Sequence, residues 1–331
     1  MKLSIMFFSS EFREDARHSY EFVLEATRRA DAAGFHAVWL PERHFHSFGG
    51  IYPNPSIIAG ALAAQTRQIR IRSGSVVLPL HHPVRVAEDW AMVDRLSGGR
   101  VDMGFSKGWN TTEFVFRGDF QDYDDDRMFR EIELIRKLWK GETATLVTAN
   151  GQERSLSIFP RPCDSNLDYW ISTFNEKLFE RTGRMGGNIL TGLLMQTTNQ
   201  LEQKIKLFRK SAVHDNSVMT LMVHTFVAET NRGAVDIVGE SFQKYLENSM
   251  TLWKQQEPRL DLPSDMRQKV LDFAFARYLK QSTLIGSAGF VADRLDKFRS
   301  IGVDEVACLL DFGAPEAQIM ESLERLSHLI K

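Results

Sequence analysis

A closed (β/α)8 barrel with insertions is the α/β fold class this sequence predicts, and three observations predict it. Short β-rich runs alternate with amphipathic helical stretches along most of the 331 residues. Eight strand candidates can be counted, which suits a closed barrel better than an open doubly wound sheet. Neither a GxGxxG fingerprint nor a Walker loop is present to favour an open nucleotide-binding sheet. Strand and helix alternation of this kind means parallel strands joined by right-handed crossovers.

In chain order, the strand-like runs are "LSIMFF", "HAVWL", "IRIRSGSVVL", "RVDMGFS", "DYWIST", "NILTGLL", "VMTLMVHTFVA" and "VDEVACLL". Each is short, apolar and rich in branched or aromatic residues. Between them lie segments with apolar residues three and four apart: "YEFVLEATRRADAAG", "SIIAGALAAQT", "PVRVAEDWAMVDRLSGG", "RMFREIELIRKLWKG", "NQLEQKIKLFRKSA" and "GFVADRLDKFRSIG". Several end in glycine, as C-caps do. Two stretches exceed a minimal barrel. Residues 142–160 read as a β-hairpin turning at Asn150-Gly151, and residues 250–282 as a helical insertion with Pro258 and Pro263. No linker or repeat divides the chain, so one domain spanning residues 1–331 is expected.

Composition narrows the class. The chain is 43% hydrophobic and 25% charged with a net charge of −2, and its Lys and Arg are dispersed, so nucleic acid is not an expected partner. Cys163 and Cys308 make no disulfide framework. The N-terminal run is too short for a secretion signal, and no stretch is long enough for a membrane span. A cytoplasmic enzyme is the expectation.

In such barrels chemistry sits on the loops after the strands. The loop "PERHFHSFGGIYPNP" follows the second run and carries Glu42, Arg43, His44 and His46. Ser9, Ser10, His81, His82, Lys107 to Asn110, His224 and Asp311 occupy equivalent positions. Three readings compete for this bowl. His44-x-His46 with His224 and Asp311 would suit a metal-dependent hydrolase, except that Pro41 ends the strand before the pair, so the two imidazoles need not share a side. Lys107, Gly108, Arg127 and the amides of a helix starting near Asn175 would suit an anionic cofactor. The third reading is packing or capping alone, which fits His18, His36, His214 and His328 best.

The motifs "ADAAGFHAVWLPERHF", "SGSVVLPLHHPVRVAEDW" and "LSGGRVDMGFSKGW", in this order and spacing, resemble the flavin-dependent luciferase-like monooxygenases. "PERHFHSFGGIYPNPS" and "MVHTFVAE" are most similar to the subgroup associated with polyketide and nonribosomal peptide synthetases. The resemblance implies FMN in the barrel mouth, reduced by a separate NAD(P)H:flavin reductase, with O2 as co-substrate and a flavin C4a-hydroperoxide as oxidant. It implies a non-prolyl cis peptide at Gly74-Ser75, a cofactor site including Lys107, Gly108, Trp109, Arg127, Ser172 and Asn175, and catalytic roles for His44, Arg43 and Glu42, the last orienting Arg43. His46, His82 and His224 would contact the substrate or stand behind the loop. No metal is implied. The substrate would be an acyl or aminoacyl intermediate, free or tethered to a carrier protein that meets Arg13, Arg117 or Arg161, and the protein a homodimer. "STFNEKLF", where relatives have a Gly- and Thr-containing phosphate turn, and Gly192, where they tend to have His, depart from the pattern. They leave open a flavin-binding barrel with weak or lost catalysis. A deazaflavin-dependent hydride-transfer oxidoreductase is the other alternative.

Overall fold

A computed structural model describes residues 1–8, 16–116, 122–256 and 276–330, with the side chains of 16, 17, 19 and 250–256 left out. Its elements run β1 (Lys2–Met6), α1 (Ala16–Ala32), β2 (Ala37–Leu40), α2 (Pro55–Gln65), β3 (Arg70–Ser73), β4 (Val76–Val77), α3 (Pro83–Ser97), β5 (Val101–Ser106) and α4 (Asp125–Trp139). Then follow β6 (Ala144–Val147), β7 (Glu153–Leu156), β8 (Tyr169–Ser172), α5 (Glu176–Arg184), β9 (Asn188–Gly192), α6 (Thr198–Ser211), β10 (Met219–Ala228), α7 (Asn231–Gln256), β11 (Leu284–Ser287), α8 (Ala288–Ser300), β12 (Glu305–Leu309) and α9 (Glu316–Ser327).

Eight parallel strands close a barrel in the order β1, β2, β3, β5, β8, β9, β10, β12, and β12 returns to β1 with Leu3 opposite Val306. These are the eight runs expected. β11 adds a strand outside the ring: β10 is ten residues long, and its last turn of ladder, Thr225 to Ala228, pairs with Leu284 to Ser287. β6 and β7 form the expected antiparallel hairpin, its turn held by the Thr148 hydroxyl bonded to Asn150 Oδ1 at 2.6 Å. The insertion at 250–282 is described only in part: α7 extends to Gln256 and residues 276–282 are helical, while 257–275 lie outside the described residues.

Local chemistry explains the ends of the helices. Asn54 Oδ1 accepts the Ser56 N–H at the start of α2, and Asp124 Oδ1 accepts the Arg127 N–H at the start of α4. Thr197 and Gln200 make a reciprocal capping box for α6. These caps matter because each opens a helix directly after a strand-end loop, fixing where the loop residues point.

The barrel interior is polar at one level. Arg72 donates to both oxygens of Glu305 (2.8 and 2.7 Å) and to Asp102 (2.7 Å), and it lies over the rings of Trp39 and Trp170 at 4.9 and 4.2 Å. Ser4 and the Trp39 indole also donate to Glu305. Burial works to raise the Glu305 and Asp102 carboxyls, but the Arg72 charge and the hydrogen bonds outweigh it and hold both below the usual range. The plug seats Glu305, the first residue of β12, beneath the mouth and closes the lower end.

Candidate active site

A cavity of about 360 Å³ opens at the C-terminal ends of the strands. Its wall includes Glu42, Arg43, Gly74, Ser75, Lys107, Gly108, Trp109 and Ser172 among the residues singled out from sequence. His44, His46, His82, Arg127, Asn175 and His224 do not line it. Ser9, Ser10, Arg13 and Arg117 lie outside the described residues.

Glu42 organises one side. Its Oε1 accepts from Nε2 of His44 (3.1 Å) and Nε2 of His81 (2.5 Å), while Oε2 accepts the Val77 N–H at 2.7 Å. Burial alone would raise this carboxyl; the bonds from His44, His81 and Val77 outweigh it and keep the group below the ordinary glutamate range. A carboxylate bound to Nε2–H fixes the tautomer and leaves Nδ1 of each ring as the basic nitrogen. Glu42 therefore orients His44, and not Arg43 as the sequence reading had it. His81 is the residue of the "HH" pair that joins this array. Its neighbour His82 is exposed and caps α3, accepting the Val84 N–H at 3.3 Å.

His44 is covered by a lip of aromatic rings. Phe45 adopts φ 58°, a left-handed conformation rare for a bulky residue, and stacks on Phe116 with centroids 5.3 Å apart; Phe116 meets the His44 ring edge-on at 4.8 Å. Phe45 and Phe116 are 58% and 54% exposed, so the pair presents an apolar surface to solvent beside His44.

Arg43 sits on the same wall, its guanidinium over Phe8 at 4.5 Å and Phe48 at 5.1 Å. Burial lowers its affinity for a proton; Tyr245, Glu113 and Asp311 oppose that from a distance. Glu113, also on the wall, was not among the residues singled out from sequence: "TTEFVF" reads as an ordinary short turn, and only the fold brings it under the loop. Its carboxyl is raised by burial, partly offset by the charges of His44 and Arg43 and by bonds from the His44 amide and Asn110. Glu42 and Glu113 are thus pushed in opposite directions, the pattern of an acid and a base set apart by environment.

The opposite half of the mouth is built from β3, β5 and β8. The Gly74–Ser75 peptide is cis, interrupting the third barrel strand so that Ile71 pairs with Val101 before it and Val76 with Phe105 after it. Ser75 Oγ is buried on the cavity wall with no hydrogen-bond partner in the protein. Gly108 has φ 74°, and a Cβ there would come within 2.7 Å of Val77. Lys107 reaches Asp125 at 3.3 Å on the first turn of α4. Thr173 adds a hydroxyl that the reading of "STFNEKLF" overlooked; it lines the cavity and accepts the Asn175 N–H at 3.0 Å. Asn175 Oδ1 caps α5 by accepting the Lys177 N–H at 3.0 Å. Arg127 is turned along α4, bonded to Glu131 at 3.3 Å and over the Tyr123 ring.

His46 and His224 lie off the cavity wall and contact protein groups. His46 Nδ1 accepts the Phe48 N–H at 3.0 Å. His224 is fully buried among Phe242, Tyr245, Tyr278 and Phe312, with Nδ1 3.2 Å from the Tyr278 hydroxyl and Nε2 unpartnered. Among the described residues no cluster of three or more His, Cys, Asp or Glu is placed to hold a metal ion.

The profile of the luciferase-like monooxygenases matches residues 1–305. The chain belongs to this family. The flavin-dependent trigonelline monooxygenase, oxygenase component, of Acinetobacter baylyi is 27% identical over 329 residues, covering 95% of this chain and 89% of the relative. The structure of monooxygenase RslO1 from Streptomyces bottropensis superposes with a TM-score of 0.80 at 22% identity, covering 99% and 98% of the two chains. The oxygenating constituent of 3,6-diketocamphane monooxygenase from Pseudomonas putida, a type II Baeyer-Villiger monooxygenase in complex with FMN, gives 0.78 at 17% identity over 100% and 97%. The F420-dependent tetrahydromethanopterin reductase of Methanopyrus kandleri shares the fold at 12% identity and a TM-score of 0.73. This luciferase-like monooxygenase is accordingly an enzyme on a shared barrel. Among the described residues no helix is long and apolar enough to cross a membrane.

Proposed function

We propose that this luciferase-like monooxygenase uses reduced FMN, supplied by a separate NAD(P)H:flavin reductase, to insert one oxygen atom from O2 into an acyl or aminoacyl intermediate of polyketide or nonribosomal peptide biosynthesis. The observation that carries the reading is the juxtaposition of the Glu42–His44–His81 array with the Gly74–Ser75 wall. Glu42 is bonded to Val77, two residues beyond Ser75, which brings its two histidines next to the Gly74–Ser75 wall and its unpartnered hydroxyl. A buried hydroxyl without a partner is uncommon and favours a ligand that completes it.

The residues fit a flavin. Gly74 and Ser75 would back the ring, and Ser75 Oγ would bond a ring heteroatom. Lys107, the Thr173 hydroxyl and the start of α5 at Asn175 would receive the phosphate, with Arg127 behind them. When bound and reduced, FMN would supply the activation of O2. The chain supplies the rest. Glu42, on the cavity wall, links His44 and His81 to the cavity for the exchange of one proton, and Arg43 presents its positive charge to an anionic group of the substrate.

The name "oxygenase component" of the trigonelline enzyme supports a partner reductase. Exposed Ile57 on α2 and Met92 and Leu96 on α3 support a homodimer through those helices. Anaerobic titration with reduced FMN, followed by mixing with O2 and candidate acyl substrates, tests the proposal. Binding of reduced FMN with O2-dependent product supports it. Oxidation of substrate at an undiminished rate without O2 would point to hydride transfer instead.

A further inference from the structure

We infer that the substrate carries a carboxylate and that Arg43 is its receptor. The inference rests on the monooxygenase reading in one respect, that the anion held is the substrate's.

Four observations lead to it. Arg43 lines the cavity, yet among the described residues its guanidinium makes no hydrogen bond and no ion pair. The acids whose charge it feels are engaged elsewhere: Asp311 accepts the Phe8 N–H (2.7 Å) and the Tyr52 hydroxyl (3.1 Å), and Glu113 is bonded by the His44 amide and Asn110. Glu42 spends its oxygens on His44, His81 and Val77. A guanidinium keeps its charge at any cellular pH, so its donors are presented to the cavity with no protein acceptor to take them.

The residue is also built in place. The backbone N–H of Arg43 donates to Tyr52 O at 2.9 Å, the guanidinium sits in the corner between Phe8 and Phe48, whose rings meet edge-on, and Phe48 in turn packs on Tyr245 at 5.1 Å. Gly49, at φ 78°, lets the loop fold over the side chain: a Cβ there would lie 2.3 Å from Arg43 Cδ. Aromatic faces hold a cation without consuming its N–H donors, whereas a carboxylate partner would consume them. A planar fork with free donors matches a carboxylate in two-point geometry.

Position separates this receptor from the cofactor's phosphate site. Arg43 and the rings beside it come from the ends of β1 and β2 and from α7, while Lys107 follows β5 and Ser172 and Thr173 stand at the end of β8, on the other half of the ring. An elongated cofactor anchored beside β5 and β8 leaves the Arg43 side for a second molecule.

The test uses two probes of one shape and different charge, benzoate and benzamide, titrated calorimetrically into the FMN-loaded enzyme. Benzoate is expected to bind about ten-fold tighter than benzamide, the effect of one charge-assisted bidentate contact. In Arg43→Met the preference disappears, and in Arg43→Lys it survives in reduced form. Equal affinities in the wild type, a preference untouched by Arg43→Met, or displacement of FMN by benzoate would each overturn the inference. Should Arg43→Met fail to fold, the wild-type ratio and Arg43→Lys decide. Failure of FMN to bind at all would sink the flavin reading separately, and the benzoate–benzamide comparison on the FMN-free protein would still decide the receptor.

Discussion

His44 Nε2 lies 3.1 Å from Glu42 Oε1, and that buried carboxylate holds His81 through the same oxygen. One acceptor thus sets the tautomer of two imidazoles at the mouth. Glu42→Gln keeps the shape and removes the charge. It is expected to lower the rate of oxygenation by roughly 10² to 10⁴, the usual range for a general acid–base group. Because Glu42 acts through His44, the Glu42→Gln/His44→Ala double variant should be little worse than either single one. Steady-state turnover of the four proteins checks this, and losses that multiply would show that the two residues act independently.

Ser75 offers a test in which stability and affinity move in opposite directions. Its hydroxyl is buried without a partner, so Ser75→Ala should leave the FMN-free protein unchanged or more stable, by up to about 1 kcal/mol. The same change should weaken FMN binding by about ten-fold if the hydroxyl bonds the ring. Thermal melts with and without FMN separate the two effects.

Gly49 should tolerate no side chain. At φ 78° and 2.3 Å from Arg43 Cδ, a methyl group both strains the backbone and pushes the guanidinium out of its clamp. Gly49→Ala is expected to cost about 1–3 kcal/mol by urea unfolding and to erode the preference for carboxylate ligands together with it.

The interior plug predicts acid sensitivity. Glu305 and Asp102 have carboxyls held below their unfolded values, so their contribution is present above about pH 4 and is lost as pH falls through the folded values. Glu305→Gln leaves Arg72 partly uncompensated in a buried site and should cost about 3–5 kcal/mol at neutral pH. Its stability should also decline less steeply on acidification. Denaturant unfolding between pH 3 and 7 (about the range spanned by these groups) reads both.

His224 works in the same direction by a different route. Burial pushes its imidazolium pKa down to about 3. Between the unfolded value of about 6.5 and that figure, only the unfolded chain binds the proton, so stability falls as pH drops through this window. His224→Gln should flatten the stability profile there. A large loss of turnover at pH 7.5, with folding and FMN binding intact, would contradict the packing role that its aromatic cage indicates.

The barrel was legible because each strand is a short apolar run set between amphipathic helices, and period and order survive in a single sequence. β11 was not: "LIGS" is four residues and pairs only because β10 overshoots the ring. α7 escaped the pattern too, since Gly233 and Gly239 weaken its local helical signal while its packing against β10 and β11 supplies the stability. At the site, the loop "PERHFH" announced itself by residue type. Its partners did not. Choosing His81 over His82 depends on which imidazole caps α3, and Glu113 and Thr173 look like ordinary turn residues until the strand ends bring them to one cavity. The bond from Glu42 to His44 rather than to Arg43 is likewise set by the Val77 amide across the loop.

The most direct test of the central claim is anaerobic titration with reduced FMN followed by rapid mixing with O2, in the wild type, Glu42→Gln and His44→Ala. Reduced FMN is expected to bind, return of the oxidised spectrum to be delayed relative to free flavin, and both variants to shorten the delay and release more H2O2. Reduced FMN that fails to bind, or reoxidation at the rate of free flavin in all three proteins, would contradict that claim.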